Sequence, residues 1–158
     1  MLDTDLAWLA GIWDGEGSIA LFSHKEKNGS IKICPTVCVV NTDIAIINKV
    51  RKILEDLQCS FQLQETQPKN SRHSVKWTLT TRNQKYIVLF LKAVMPYLFS
   101  IKRQKAEILL AYTERRLEKT YRTPSKGSTP YDADDWKIFS KFQQIRSSQT
   151  TREALVQE

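Results

Sequence analysis

The sequence predicts an α+β fold: a four-stranded antiparallel, saddle-shaped sheet covered by helices on one face, in the order αββαββα, with C-terminal helices added. Three observations carry this reading. The hydrophobic period switches from helical to alternating and back, twice, between residues 3 and 95. Each of the four alternating stretches has one apolar and one polar face, the pattern of an antiparallel sheet wetted on one side. Turn signals group these stretches into two hairpins.

In the first helix, Leu6, Leu9, Ile12 and Trp13 recur at helical spacing, with Asp3 or Thr4 as N-cap. From Ser18 the period becomes two, with Ile19 and Leu21 inward. "KNGS" at 27–30 marks a hairpin in which Asn28-Gly29 takes the positive φ values of a type I′ turn. Strand two, about Ile31 to Val40, turns Ile33, Val37 and Val39 to the core, and Pro35 makes it an edge or a bulge. "NTD" at 41–43 caps a second helix with the stripe Ile46, Ile47, Val50, Ile53, Leu54 and Leu57, ending near Gln58.

Residues 61–66 and 74–81 form the second hairpin, with Phe61, Leu63, Val75, Trp77 and Leu79 inward. Helix three spans about Asn83 to Met95, Pro96 breaks the chain, and helix four spans about Ser100 to Tyr121. These elements make a core domain over residues 1–122. Residues 123–131 read as a linker by composition, and 132–158 as a helical extension with Trp136, Phe139, Phe142 and Ile145 on one side.

Composition bounds the function. The 158 residues, 41% of them apolar, can build a real core, which excludes a disordered chain. No apolar run approaches the ~20 residues of a membrane span, and "MLDTD" lacks the basic start of a secretory signal. Three cysteines argue against a disulfide framework and for a reducing compartment, and Cys34 and Cys38 lack the second pair a zinc site needs. The reading is a soluble intracellular protein without a membrane partner or small-molecule cofactor. The net charge of +7 is segregated: −4 over residues 1–22, +11 over 23–122, and zero beyond. An acidic point within a basic surface fits a polyanion, most simply nucleic acid.

Ala7, Gly11 and Gly15 recur every four residues, giving the first helix a stripe nearly free of side chain. Each helical glycine costs about 1 kcal/mol relative to alanine, so close approach of another backbone is the natural reason. The sequence has no second such stripe, which leaves the same helix of a second subunit as partner, in a homodimer. The interface stripe is Ala7, Gly11 and Gly15. That arrangement gathers Asp14 and Glu16 at helix C-termini, where the macrodipole disfavours negative charge. Divalent metal reverses the sign, Mg²⁺ preferring oxygen ligands at about 2.0–2.1 Å.

"LAGIWDGEG", Leu9 to Gly17, resembles the signature of the LAGLIDADG homing endonucleases, matching at Leu9, Ala10, Gly11, Asp14 and Gly17, with conservative exchanges at Ile12 and Glu16. The resemblance covers about residues 4–121, and the single motif is similar to the homodimeric members. It implies a metal-dependent double-stranded DNA endonuclease, intron-encoded, that cuts a long pseudo-palindromic target to leave 3′ overhangs. It implies Glu16, one per subunit, as metal ligand with the Gly15 carbonyl, and two or three Mg²⁺ ions shared by the dimer, with Mn²⁺ as a substitute. It also implies a structural or capping role for Asp14 at the helix interface, beside Ala7, Gly11 and Gly15.

By the same resemblance Asn41 orients a water, unless it only caps helix two, and Lys102 approaches the scissile phosphate beside Arg103 and Lys105. The outward strand positions read the major groove: Ser18, Ala20, Phe22, His24, Lys32, Cys34, Thr36, Cys38, Gln62, Gln64, Thr66, Arg72, Lys76 and Thr78. His24 and His73 contact DNA or solvent. An organelle (chloroplast or mitochondrion) or a microbial cytoplasm is the expected setting. The alternatives are an intron RNA maturase of the same family and a non-cleaving DNA-binding regulator.

Overall fold

A computed structural model describes residues 2–70, 72–122 and 129–156, with side chains up to residue 145 and excepting Ser100. Helix α1 runs from Asp3 to Glu16. Its cap is Leu2, since Asp3 and Thr4 already lie inside the helix: the Leu2 N–H donates to the Asp5 carboxylate at 3.1 Å and the Asp5 N–H to the Leu2 carbonyl at 2.9 Å. An aliphatic cap leaves no sequence signature, which is why Asp3 or Thr4 was the natural choice. At the other end Gly17 is sterically required, because a Cβ there would lie 2.4 Å from the Trp13 ring. Trp13 is fully buried, 4.5 Å from Phe90 between ring centres and 6.1 Å from Phe61, so the chain leaves the helix over the largest buried side chain.

Strands β1 (Gly17–Lys25) and β2 (Ile31–Asn41) pair antiparallel, Gly17 opposite Val39 and Lys25 opposite Ile31. Their turn is not type I′. Only Gly29 has positive φ, at 86°, while the Gly29 N–H donates to Glu26 and the Glu26 N–H to Ser30. This is a three-residue loop ending in a left-handed glycine, and it spares Asn28 the strained conformation. Helix α2 (Ile44–Asp56) is capped by Asp43, whose carboxylate accepts the Ala45 N–H at 2.8 Å. Strands β3 (Gln62–Thr66) and β4 (Lys76–Thr81) form the second hairpin, and the sheet order is β1-β2-β4-β3, antiparallel throughout.

The alternation puts Ile19, Leu21, Ile33, Val37, Val39 and Leu79 in the core. Leu63 shares that face, opposite Leu79, but remains 39% exposed because β3 is an edge strand beyond the helical cover. Thr36 is the converse: it sits on the outer face and is nonetheless 8% exposed, its hydroxyl unpaired among the described residues. Helix α3 (Gln84–Val94), capped by Asn83, passes through a 3₁₀ turn at Met95–Tyr97 that holds Pro96, and then α4 (Ser100–Arg122) begins. Helix α5 runs from Ala133 to Val156, and its Phe142 joins the same core as α1 and the sheet.

Residues 123–128 of the expected linker lie outside the described residues, but its end is fastened. Arg116 donates to the carbonyls of Thr129 and Pro130. Pro35 does mark an edge: β2 pairs with β4 only from Val37 onward. The open side is filled by the Tyr131 hydroxyl, which accepts the Ile33 N–H at 3.1 Å, and on β1 the Leu21 carbonyl accepts from Gln143 at 2.6 Å. Unpaired strand edges invite association with other chains, and side chains from the C-terminal segment blunt both. Among the described residues no helix is long and apolar enough to cross a membrane.

Candidate metal and nucleic-acid site

The last turn of α1 collects the groups that chemistry can use. Glu16 is exposed and forms no hydrogen bond or ion pair with any described residue. Asp14 faces the protein: one oxygen accepts the Phe99 N–H at 2.8 Å, at the entrance to α4, while the other is buried without a partner among the described residues. Lys102 turns its ammonium onto the end of α1, donating to the Trp13 carbonyl at 2.6 Å and to the Asp14 carbonyl at 2.8 Å. Burial holds its pKa below the usual lysine value, against the opposing pull of Asp14. Its ammonium thus adds a second donor to the Trp13 carbonyl, which also accepts the Gly17 N–H, and satisfies the Asp14 carbonyl at the helix end. This is where the free chain places the lysine that the resemblance sets near a scissile phosphate.

Ala7, Gly11 and Gly15 are all exposed, and a Cβ built on either glycine meets no atom within 4 Å. Among the described residues nothing uses the space the glycines leave. Asn41 ends β2, opposite Trp77, and since Gly17 pairs with Val39, the register brings Asn41 and Glu16 to one end of the sheet. The Asn41 carboxamide oxygen accepts the Asp43 N–H at 2.8 Å, so Asn41 shapes the turn while Asp43 is the cap of α2. Among the described residues no three His, Cys, Asp or Glu side chains come together as metal ligands. A hard cation needs several oxygens, and one copy brings the single exposed carboxylate of Glu16 to this tip. The donor set fits a divalent ion only when doubled.

The outer face of the sheet is ordered by the register. One row crosses all four strands: Gln62, Thr80, Cys38, Ser18. A second holds Gln64, Thr78 and Val40, and further along lie the pairs Thr36 with Ala20, Cys34 with Phe22, and Lys32 with His24. Lys32 is bound to Glu26 at 2.6 Å, and this hydrogen bond holds the Glu26 carboxyl below its usual range. The Cys34 sulfur lies 3.3 Å from Nδ1 of His24. At the far end Thr66 pairs with Lys76, and these two with Lys69 and His73 border a hollow of about 250 Å³. Arg72 is exposed in the adjoining loop, its N–H donating to the Asn70 side chain at 3.2 Å.

Arg82 belongs to this face although the strand pattern missed it. It lies 5.6 Å from the Phe22 ring and, with Gln62, Gln64, Thr78 and Thr80, borders a hollow of about 300 Å³. The signal was present, since Lys76, Thr78, Thr80 and Arg82 continue one alternation a step past the end of β4. Thr80 and Val40 complete the surface. Cations, hydroxyls and carboxamides in rows suit a ligand with phosphate charge and hydrogen-bonding edges.

Several solved structures share this architecture. The homing endonuclease I-CvuI, in complex with the I-CreI target in 2 mM Mg with DNA not cleaved, aligns over 89% of this chain and 96% of its own at 18% identity and TM-score 0.58. The archaeal intron-encoded homing endonuclease I-Vdi141I, complexed with DNA, aligns over 90% and 98% at 14% identity and TM-score 0.57. The I-LtrWI LAGLIDADG homing endonuclease, bound to target DNA, is 22% identical at TM-score 0.57, the alignment covering 77% of this chain but 41% of that one. No curated protein matches by sequence. At these identities the likeness speaks for fold, but the model of the LAGLIDADG-like domain family matches residues 3–95, more than half the sequence, and the chain belongs to that family.

Proposed function

We propose that the chain is a site-specific, metal-dependent endonuclease that acts on double-stranded DNA as a homodimer. The observation that carries the reading is the tip of α1: an exposed glycine stripe with open space above it, ending in an exposed carboxylate without a hydrogen bond or ion pair among the described residues. A second copy laid on the stripe would bring two Glu16 side chains together at the negative ends of two helices, an arrangement unfavourable without a cation. The alignments support the doubling, since the chain spans nearly all of some similar endonucleases and under half of another.

In this reading the paired Glu16 carboxylates and the Gly15 carbonyls would hold Mg²⁺. When bound, the metal supplies an activated water and stabilises the charge on the departing 3′ oxygen. Asn41, at the same end of the sheet, positions that water, and Lys102 brings positive charge to the tip. The rows from Ser18 to Gln62 and from Val40 to Gln64, with Arg82, read base edges in a major groove. Lys32, Arg72 and Lys76 contact phosphates. A two-fold dimer calls for a pseudo-palindromic target, cut on opposite strands to leave 3′ overhangs.

The test is incubation of the purified protein with a randomised plasmid library, in Mg²⁺ or in chelator. Linear products confined to the Mg²⁺ arm are expected. DNA retained on the protein but uncut in both arms would replace the nuclease with a binding regulator.

A further inference from the structure

Helices α1 and α4 exchange end groups. Lys102, in the first turn of α4, donates to the Trp13 and Asp14 carbonyls at the negative end of α1, at 2.6 and 2.8 Å. In return the Asp14 carboxylate accepts the Phe99 N–H at 2.8 Å, at the positive end of α4. Each helix supplies the charge that the other's dipole favours. The Gly17 N–H also donates to the Trp13 carbonyl, so the turn carrying Gly15 and Glu16 is closed from both sides. An ammonium has three donors, and two are committed here.

We infer that Lys102 is a positioning residue for Glu16, acting through the last carbonyls of α1 and not through contact with the reacting phosphate. Three observations carry this. The two carbonyls it holds belong to the residues directly before Gly15 and Glu16, so they set the torsion of the final turn. Glu16 itself has no hydrogen bond or ion pair to any described residue that could orient it. Gly15, directly before it in the last turn, has no side chain that could fix that turn, so the clamp on the preceding carbonyls supplies the restraint. A metal ligand must be held within about 0.5 Å of its working position, and here that constraint comes from a neighbouring helix.

The inference rests on the metal-holding reading of Glu16, and its test separates the two. Lys102→Met keeps the length and packing of the side chain and removes the donors, while Lys102→Arg keeps donors. In free protein, amide exchange at Gly15 to Ser18 should quicken about tenfold in Lys102→Met and return toward wild type in Lys102→Arg. The Mn²⁺ concentration that half-broadens the Glu16 and Gly17 amide resonances should rise several-fold in Lys102→Met and be restored in Lys102→Arg. For a substrate recovered from the plasmid library, the Mg²⁺ midpoint of cleavage should shift in parallel.

Unchanged exchange and an unchanged Mn²⁺ midpoint in Lys102→Met, with cleavage lost at every Mg²⁺ concentration, would overturn the inference and return Lys102 to the phosphate. Quickened exchange with an unchanged Mn²⁺ midpoint would leave Lys102 as a fold-stabilising cap only, and would equally overturn it. Wild-type protein that neither cuts nor shows Mn²⁺ broadening at Glu16 would instead remove the metal-holding reading beneath it.

Discussion

Two acidic groups in this chain are treated in opposite ways. Between α4 and α5, Asp132, Asp134 and Asp135 face Arg115, Arg116 and Lys119. Asp135 is fully buried, with Arg116 at 3.1 Å and Lys119 at 3.0 Å, and Asp132 binds Arg115 at 2.7 Å and also Lys119. Every acid there has a cation. At the tip of α1 the nearby cation holds backbone carbonyls, Asp14 caps a neighbouring helix, and Glu16, at the unfavourable end of its own helix, makes no hydrogen bond or ion pair among the described residues. The first group holds α5 to the core. In the second, Asp14 ties α1 to α4 while Glu16 makes no hydrogen bond or ion pair among the described residues, which is the physical ground for assigning Glu16 to metal and a second copy.

The largest expected effect falls on that contrast directly. Glu16→Gln should lower cleavage about a thousandfold or more while the melting temperature moves by no more than about 1 °C, because the exposed carboxylate has no hydrogen bond or ion pair among the described residues to lose. Cleavage assays beside thermal unfolding check it, and a mutant that cuts normally would refute the role. Asp135→Ala should do the reverse: it strands the buried Arg116 and should cost roughly 3–5 kcal/mol of stability, seen as a lower urea midpoint. Any loss of cutting should follow the loss of folded protein.

Gly11→Ala sharpens the comparison through its two signs. In the monomer the added methyl meets nothing within 4 Å, so the helix should gain about 1 kcal/mol. In the dimer it should hold the two helices apart, so sedimentation should show weaker association and dilute-protein unfolding a more stable chain. The smallest effect concerns acid. Hydrogen bonds from Lys119 and from the Asp135 N–H hold the Asp132 carboxyl below its ordinary range. The folded pKa is depressed, so the stabilisation is full above about pH 4 and fades as pH falls below it. Amide exchange should therefore show α5 loosening at a higher pH than β1 and β2.

What the sequence made legible follows from which forces are local. Period-two alternation placed Ile19, Leu21, Val37, Val39 and Leu79 inward, since a slip of one residue would have exposed that whole set. The glycine stripe and Glu16 were likewise visible, being defined by spacing within one helix. Local reading failed at Leu2, whose capping uses only its backbone, and at Asn28, where loop length decided the turn. It could not reach Asp14 with Phe99, Lys102 with Trp13, or Gln143 with Leu21, because those partners lie 85 to 122 residues apart. The pairing of Lys102 with carbonyls in particular has no pattern in sequence.

The central claim is that two copies meet along Ala7, Gly11 and Gly15 to pool their Glu16 side chains. Sedimentation equilibrium of the wild type and of Gly11→Leu tests it most directly, because the leucine fills the stripe at a position where a Cβ meets no described atom of its own chain within 4 Å. The account expects a wild-type mass of two chains and a folded Gly11→Leu mass of one. A wild-type protein that stays monomeric while cutting DNA, or a Gly11→Leu protein that still dimerises as tightly, would contradict it.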